Sequence, residues 1–297
     1  MKTKVMGLVL VAIFGLASCS STPDGPALAV SEAENIVAEN IVVLSGDASV
    51  LVEELVSAER IVATTDRGAG TPAVETVLPA GGTVDPEQIL SLDPDLVLLT
   101  SRHESEDDTA DILNQAGVQV ASFESSNWSD IDSLLDTFTD IAQLVGEEDK
   151  ADRLVEEIKA QRAEVDTAVD KTRQPRVLSL MARGGQRFFV PTSAMLNGLV
   201  EEAGGYSVNG ELGAVGTVAA DPEQILALQP DVILVEDFRG QGRADFADLL
   251  TNPALAEVPA ITNANVAYLP QSEIGSAAGL KIVDGLKLVA ASIGTFS

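Results

Sequence analysis

Three segments place a guanidinium next to a ring or a sulfur just after a short apolar run: Arg102 beside His103, Arg183 two residues past Met181, and Arg239 beside Phe238. A guanidinium presents a rigid fork that pairs with two carboxylate oxygens at once, and an aromatic face stacks on flat groups. A neutral imidazole adds a nitrogen for a metal. These are binding chemistries, suited to a flat or carboxylated ligand carrying a metal. Arg67 falls in a further loop, and Trp128, the only tryptophan, follows Phe123-Glu124-Ser125-Ser126-Asn127. Two side chains read two ways. His103 either ligates a chelated metal or faces solvent beside the acidic run Glu104 to Asp108, and Trp128 either stacks on a ligand or packs the start of the helix after it.

Catalysis has little to work with. One His and one Cys in 297 residues exclude a multi-histidine metal site, a thiolate site and a disulfide framework. No Gly-x-Ser-x-Gly, phosphate-binding Gly-rich loop or His-Glu-x-x-His occurs, and Arg183-Gly184-Gly185 lacks the spacing of a dinucleotide turn. With 18 Lys+Arg against 46 Asp+Glu the formal net charge is −28, which repels nucleic-acid phosphates. An enzyme, a resident cofactor and a nucleic-acid partner are therefore not expected.

What must position the binding side chains is written in a near-duplication. Val84 to Ser101 matches Ala220 to Asp237 at ten of eighteen positions, 136 residues apart. That distance exceeds any solenoid period and implies two similar lobes. In each copy Asp85 or Asp221 caps a short helix that opens on Pro86 or Pro222, with Glu87 or Glu223 in its first turn. A second proline, Pro94 or Pro230, precedes Leu96 to Leu99 or Val232 to Val235. An unbroken apolar run of that length belongs to a strand covered on both faces, in a parallel sheet with helical crossovers.

The same alternation extends along the chain. Strands are expected at Ile41 to Leu44, Ile61 to Ala63 and Val118 to Phe123 in the first lobe, and at Val177 to Met181, Phe188 to Val190 and Val266 to Leu269 in the second. Between them Asp130 to about Thr172 keeps apolar residues three or four apart, interrupted by Gly146-Glu147-Glu148-Asp149. Two helical segments follow, the second long enough to bridge the lobes. Ligands of such sheets bind outside the carboxyl ends of the strands, so the cleft loops are expected to include Ser45 to Asp47, Thr100 to Glu104, Met181 to Gln186, Glu236 to Gly242 and Pro270 to Gly275.

The N-terminus reads as an export signal. Lys2 and Lys4 precede an apolar run from Val5 to Ala17 that closes on Leu16-Ala17-Ser18-Cys19. The expected organisation is a signal peptide over 1–18, a flexible linker over 19–37, an N-terminal lobe over 38–128, a bridging helical segment over 129–173 and a C-terminal lobe over 174–297. Leu-Ala-Ser-Cys resembles a bacterial lipobox, which would place a lipid on Cys19 and anchor the mature chain to the membrane.

Together the paired Asp-Pro-Glu-x-Ile-Leu-x-Leu-x-Pro-Asp motifs, the bridging helix, the Ala203-Gly204-Gly205 step and the lipobox resemble the substrate-binding proteins of ABC importers for metal chelates. The resemblance covers roughly residues 38 to 290. It implies a class III α/β fold of two Rossmann-like lobes joined by a long helix, a monomer, and an iron chelate (siderophore or haem) handed to the permease transmembrane subunits. Cobalamin is the alternative within the family; a surface adhesin or an enzyme are readings outside it. The resemblance further implies that one acidic residue on each lobe, Glu75 and Glu201, docks on the permease. In haem-binding members a tyrosine ligand stands two residues before an arginine. Arg183 matches that arginine, but Met181 stands in the tyrosine's place, where a thioether either ligates iron or fills the core.

Overall fold

The computed structural model describes residues 37–65, 74, 76–79, 85–101, 104–213 and 216–296. The leader, Cys19, most of the linker, Arg67, Glu75, Arg102 and His103 lie outside the described residues.

The first lobe holds β1 (Ile41–Val43), α1 (Gly46–Leu55), β2 (Ile61–Thr65), β3 (Val77–Leu78), α2 (Pro86–Leu90), β4 (Leu96–Thr100), α3 (Glu104–Gln115) and β5 (Gln119–Phe123). Then come α4 (Ile131–Val145) and α5 (Glu148–Ala168). The second lobe opens with β6 (Arg176–Arg183), β7 (Gln186–Phe189), α6 (Met195–Glu202), β8 (Tyr206–Ser207) and β9 (Val218–Ala219). It continues through α7 (Pro222–Leu228), β10 (Val232–Asp237), α8 (Gly242–Leu250), α9 (Pro259–Thr262), β11 (Val266–Pro270), α10 (Gln271–Ile274) and α11 (Ile282–Ser292).

Two separate sheets form, ordered β3-β2-β1-β4-β5 and β11-β10-β6-β7-β9, with β8 paired to β6. The first is parallel throughout. The duplicated motif does the same work in each. Asp85 and Asp221 accept the N–H of Glu87 and Glu223 at 2.9 and 2.6 Å, capping α2 and α7. The later aspartate of each copy reaches the neighbouring strand: Asp95 accepts from the N–H of Glu39 and Asn40 just before β1, and Asp231 accepts from the N–H of Arg176 at the start of β6. These bonds pin β4 on β1 and β10 on β6 in equivalent registers. Along β4, Leu96 and Leu98 face one core while Val97 and Leu99 face another, formed with Ile89 and Leu113. Each such side chain stabilises by about 1.5–3 kcal/mol when buried. The strand therefore places the five-residue helix α2, not the reverse.

The second sheet departs from the expected parallel order. β7 runs antiparallel to β6 and β9 antiparallel to β7. The cause is local: Gly184 and Gly185 take positive φ of 58° and 76°, the two-residue turn whose twist matches a hairpin. The segment Met181 to Gln186, expected as a loop, is the tip of that hairpin.

Gly146 ends α4 in the left-handed conformation, φ 72°, and α5 then runs 21 residues, about 30 Å. α4 packs on α1 of the first lobe and α5 on α11 of the second, and one apolar cluster passes through these helices from lobe to lobe. Arg162 on α5 ties the halves further, donating to Asp132 at the start of α4 and to Glu202 of α6. The hydrogen bond from Arg162 holds the Asp132 carboxyl below its ordinary range. Arg162→Ala is expected to lower the stability by about 1–2 kcal/mol, since the pair network is half solvent-screened. Urea unfolding reads this as a lower midpoint at unchanged slope; an unmoved midpoint would mean that the link carries no stability.

Candidate functional site

The crevice of an open α/β sheet lies where the chain reverses its strand order. In the first sheet that point is at β1, between β2 and β4, and in the second at β6, between β8 and β10. The residues at these carboxyl ends are Ser45 to Asp47 and Thr100 in the first lobe, and Arg183, Glu236 and Phe238 in the second.

Arg183 ends β6 and Phe238 directly follows β10, and the Arg183 guanidinium carbon stands 5.3 Å from the Phe238 ring centroid. Sequence reading had singled out both, and the register of β6 on β10 brings them together. The pair presents a fork beside a ring at the strand ends, as a flat, anionic ligand requires. Arg239 is exposed at φ 63°, next to Gly240, and meets no ion pair or hydrogen bond among the described residues.

Glu236 is a correction. Expected in the loop Glu236 to Gly242, it lies inside β10, paired in register with Met181 of β6 and Leu269 of β11, and is 7% exposed. Burial pushes its carboxyl up to about 7, with Arg183 pulling the other way. Sequence offered a faint signal, since Val232, Leu234 and Glu236 share one face by alternation.

Met181 and Trp128 go inward. Met181, 5% exposed, sits in the core cluster with Val177 and Leu234, so its thioether packs the core. Trp128, 3% exposed, meets Phe123 edge-on at 5.7 Å between centroids. Among the described residues its Nε1 is buried without a partner, at the end of the turn that leads into α4.

The acidic run after position 103 is not wholly solvated either. Glu106 is 3% exposed and accepts a 2.5 Å hydrogen bond from the Thr100 hydroxyl, while Ser101 donates to Asp107. The first turn of α3 thus holds the end of β4 in place. Spacing could have shown it, because Glu106, Thr109 and Leu113 form the inner stripe of α3.

The two lobes meet at the crevice. Ser276, just after α10, donates a 2.6 Å hydrogen bond to Asp47 at the start of α1, and Gly279 lies against Val50. Pro270 to Gly275, expected as a loop, is the end of β11 and helix α10, and the contact with Asp47 is made by Ser276 just beyond it. Glu201 is exposed at the end of α6, where it accepts the N–H of Ser207. Among the described residues no group of three or more His, Cys, Asp or Glu side chains could hold a metal, and no helix is long and apolar enough to cross a membrane.

Known proteins share this architecture. A crystal structure of a possible iron-binding (periplasmic solute-binding) protein from Staphylococcus epidermidis is 21% identical, with a TM-score of 0.70 over 87% of this chain and 99% of that one. A periplasmic heme-binding protein from Roseiflexus sp. RS-1 in apo form is 24% identical, with a TM-score of 0.68 over 86% and 99%. At these identities the likeness is one of fold. In sequence the chain is 27% identical over 197 residues to the iron-uptake system-binding protein of Bacillus subtilis, which covers 63% of this chain and 59% of that protein's length. The family model described as periplasmic binding protein matches residues 29–273. With two sheets that each carry a switch point and a match that spans most of its length, the chain belongs to the periplasmic binding protein family.

Proposed function

We propose that the protein captures an iron chelate, a siderophore or haem, outside the cytoplasmic membrane and delivers it to the permease of an ABC importer. The observation that carries the reading is the Arg183–Phe238 pair at the switch point of the second sheet, with Arg239 exposed beside it. A guanidinium fork and a ring face suit a carboxylated, planar or catecholate-bearing chelate. The iron-uptake role named for the Bacillus subtilis relative and the heme binding named for the Roseiflexus protein support the same class of cargo. Anchoring by a lipid on Cys19 and docking on the permease through Glu75 and Glu201 belong to this reading.

Titration of the purified protein with hemin, ferric hydroxamate and catecholate siderophores, and cobalamin tests it. Visible absorbance and Trp128 fluorescence are the readouts. Saturable binding of an iron chelate is expected; binding of cobalamin alone would overturn the iron assignment. Removing a charged hydrogen-bond partner of a ligand costs about 1.5–3 kcal/mol. Arg183→Ala and Arg239→Ala are therefore each expected to weaken binding at least about tenfold, with unchanged thermal unfolding in Arg239→Ala. Unaltered affinity in both variants would move the pocket elsewhere.

A further inference from the structure

Glu236 lies near the crevice end of β10, between β6 and β11. It is 7% exposed, yet among the described residues its carboxyl has no hydrogen bond and no ion pair within reach, a costly state for an acid. Its position explains where it points. Glu236 pairs in register with Met181, and Arg183 lies two residues further along β6 on the same face, toward the crevice. Arg183 therefore leaves the sheet one alternation step nearer the strand end than Glu236, with its guanidinium carbon 5.3 Å from the Phe238 ring centroid.

The other charged groups around Glu236 are turned away. On its own strand Asp237 points to the opposite face, where it accepts the N–H of Gly242. From β11 the same face receives Leu269, while Tyr268 lies under Arg243 in the outer core. Glu273 of α10 and Arg239 are exposed to solvent. Arg183 is the charged group that acts on Glu236 among the described residues.

We propose that Glu236 is a specificity-determining residue of the cleft, whose proton decides whether Arg183 is available to an anionic group of the ligand. Resting on the iron-chelate reading, this names the cargo more closely: a chelate with carboxylate or other anionic groups at its edge. With the proton on, Glu236 is neutral and the guanidinium offers its whole charge to the ligand. With the proton off, the carboxylate competes for the same guanidinium and repels the incoming anion. Binding of the anion then takes up a proton at Glu236. The burial that lifts this carboxyl to about 7 places the change in the neutral range. Affinity for an anionic chelate is highest below that range and falls as pH rises through it.

The test compares hemin, whose edge carries two propionates, with a ferric hydroxamate chelate that has no anionic group, from pH 6 to pH 8, for the wild type and Glu236→Gln. A shift of one unit on binding corresponds to a tenfold change in affinity. The wild type is expected to bind hemin about tenfold more weakly at pH 8 than at pH 6. Glu236→Gln should bind equally at both, and the hydroxamate chelate should show no such fall with either protein. Carbon-detected NMR of the Glu236 carboxyl in the ligand-free wild type should show titration in the neutral range, a readout that needs no variant to fold. Titration at the ordinary carboxylate pH, or the same loss of hemin affinity in Glu236→Gln, would overturn the proposal while leaving the iron-chelate reading intact. Failure of every chelate to bind at either pH would overturn both.

Discussion

Gly285→Ala is expected to destabilise the protein by about 2–3 kcal/mol and lower its melting temperature by about 5–10 °C. Gly285 is buried in α11, where a Cβ would stand 2.1 Å from the carbonyl oxygen of Glu273 and 3.1 Å from its carbon. Both partners are backbone, so no rotamer change relieves the clash, and α10 or α11 must move by about an ångström. Alanine's better helix propensity returns at most about 1 kcal/mol, less than the overpacking removes. The displacement reaches the cleft. α10 follows β11 directly, buries Ile274, and leads to Ser276 and its hydrogen bond to Asp47. Ligand affinity should fall along with stability. Gly210→Ala is the control, because nothing lies within 4 Å of its added Cβ. Differential scanning calorimetry of the two variants decides: an unchanged transition in Gly285→Ala would show that the helices are not packed backbone to backbone.

Glu236→Gln carries the second large effect, of opposite sign. The carboxyl lies at an ordinary 4.5 when unperturbed and at about 7 in the fold. Between those two values the folded state holds a proton that the unfolded chain has lost. Stability from this group therefore falls as pH rises from the lower to the upper value, then stays low. Each unit corresponds to about 1.4 kcal/mol, so the loss at pH 8 is on the order of 3 kcal/mol. Glutamine keeps the shape and has no charge to bury. The variant should accordingly be more stable than the wild type by roughly that amount at pH 8, and nearly equal to it at pH 4.5. Urea midpoints measured at both pH values check it, and a variant no more stable at pH 8 would mean that the buried carboxylate is compensated by a partner. In the proposed role of Glu236, the protein gives up stability for function by keeping this acid buried.

Much of the scaffold was legible in the residues themselves. The duplicated Asp-Pro-Glu-Gln-Ile-Leu segment announced two lobes, because its caps, its prolines and its four-residue apolar run are local instructions that need no partner to read. Gly146 split the bridging segment for the same reason: a left-handed residue ends a helix wherever it stands. Short edge elements escaped. β3, β8 and β9 have two residues each, too few for any periodicity, and their pairing is decided by neighbours far along the chain. The antiparallel turn into β7 is no more legible, since Arg183-Gly184-Gly185 suits a loop as well as a hairpin tip until β7 pairs with β6.

The site divides in the same way. Residue types and their places at the ends of apolar runs nominated Arg183, Phe238 and Arg239, because strand ends are fixed by where hydrophobicity stops. Whether a nominated side chain faces the cleft or the core depends on strand pairing and on what covers each face, and neither is encoded within a few residues. That is why Met181 and Trp128 turned inward, why Glu106 and Glu236 proved buried, and why Asp47 and Ser276, 229 positions apart, could be seen to touch only in the folded molecule.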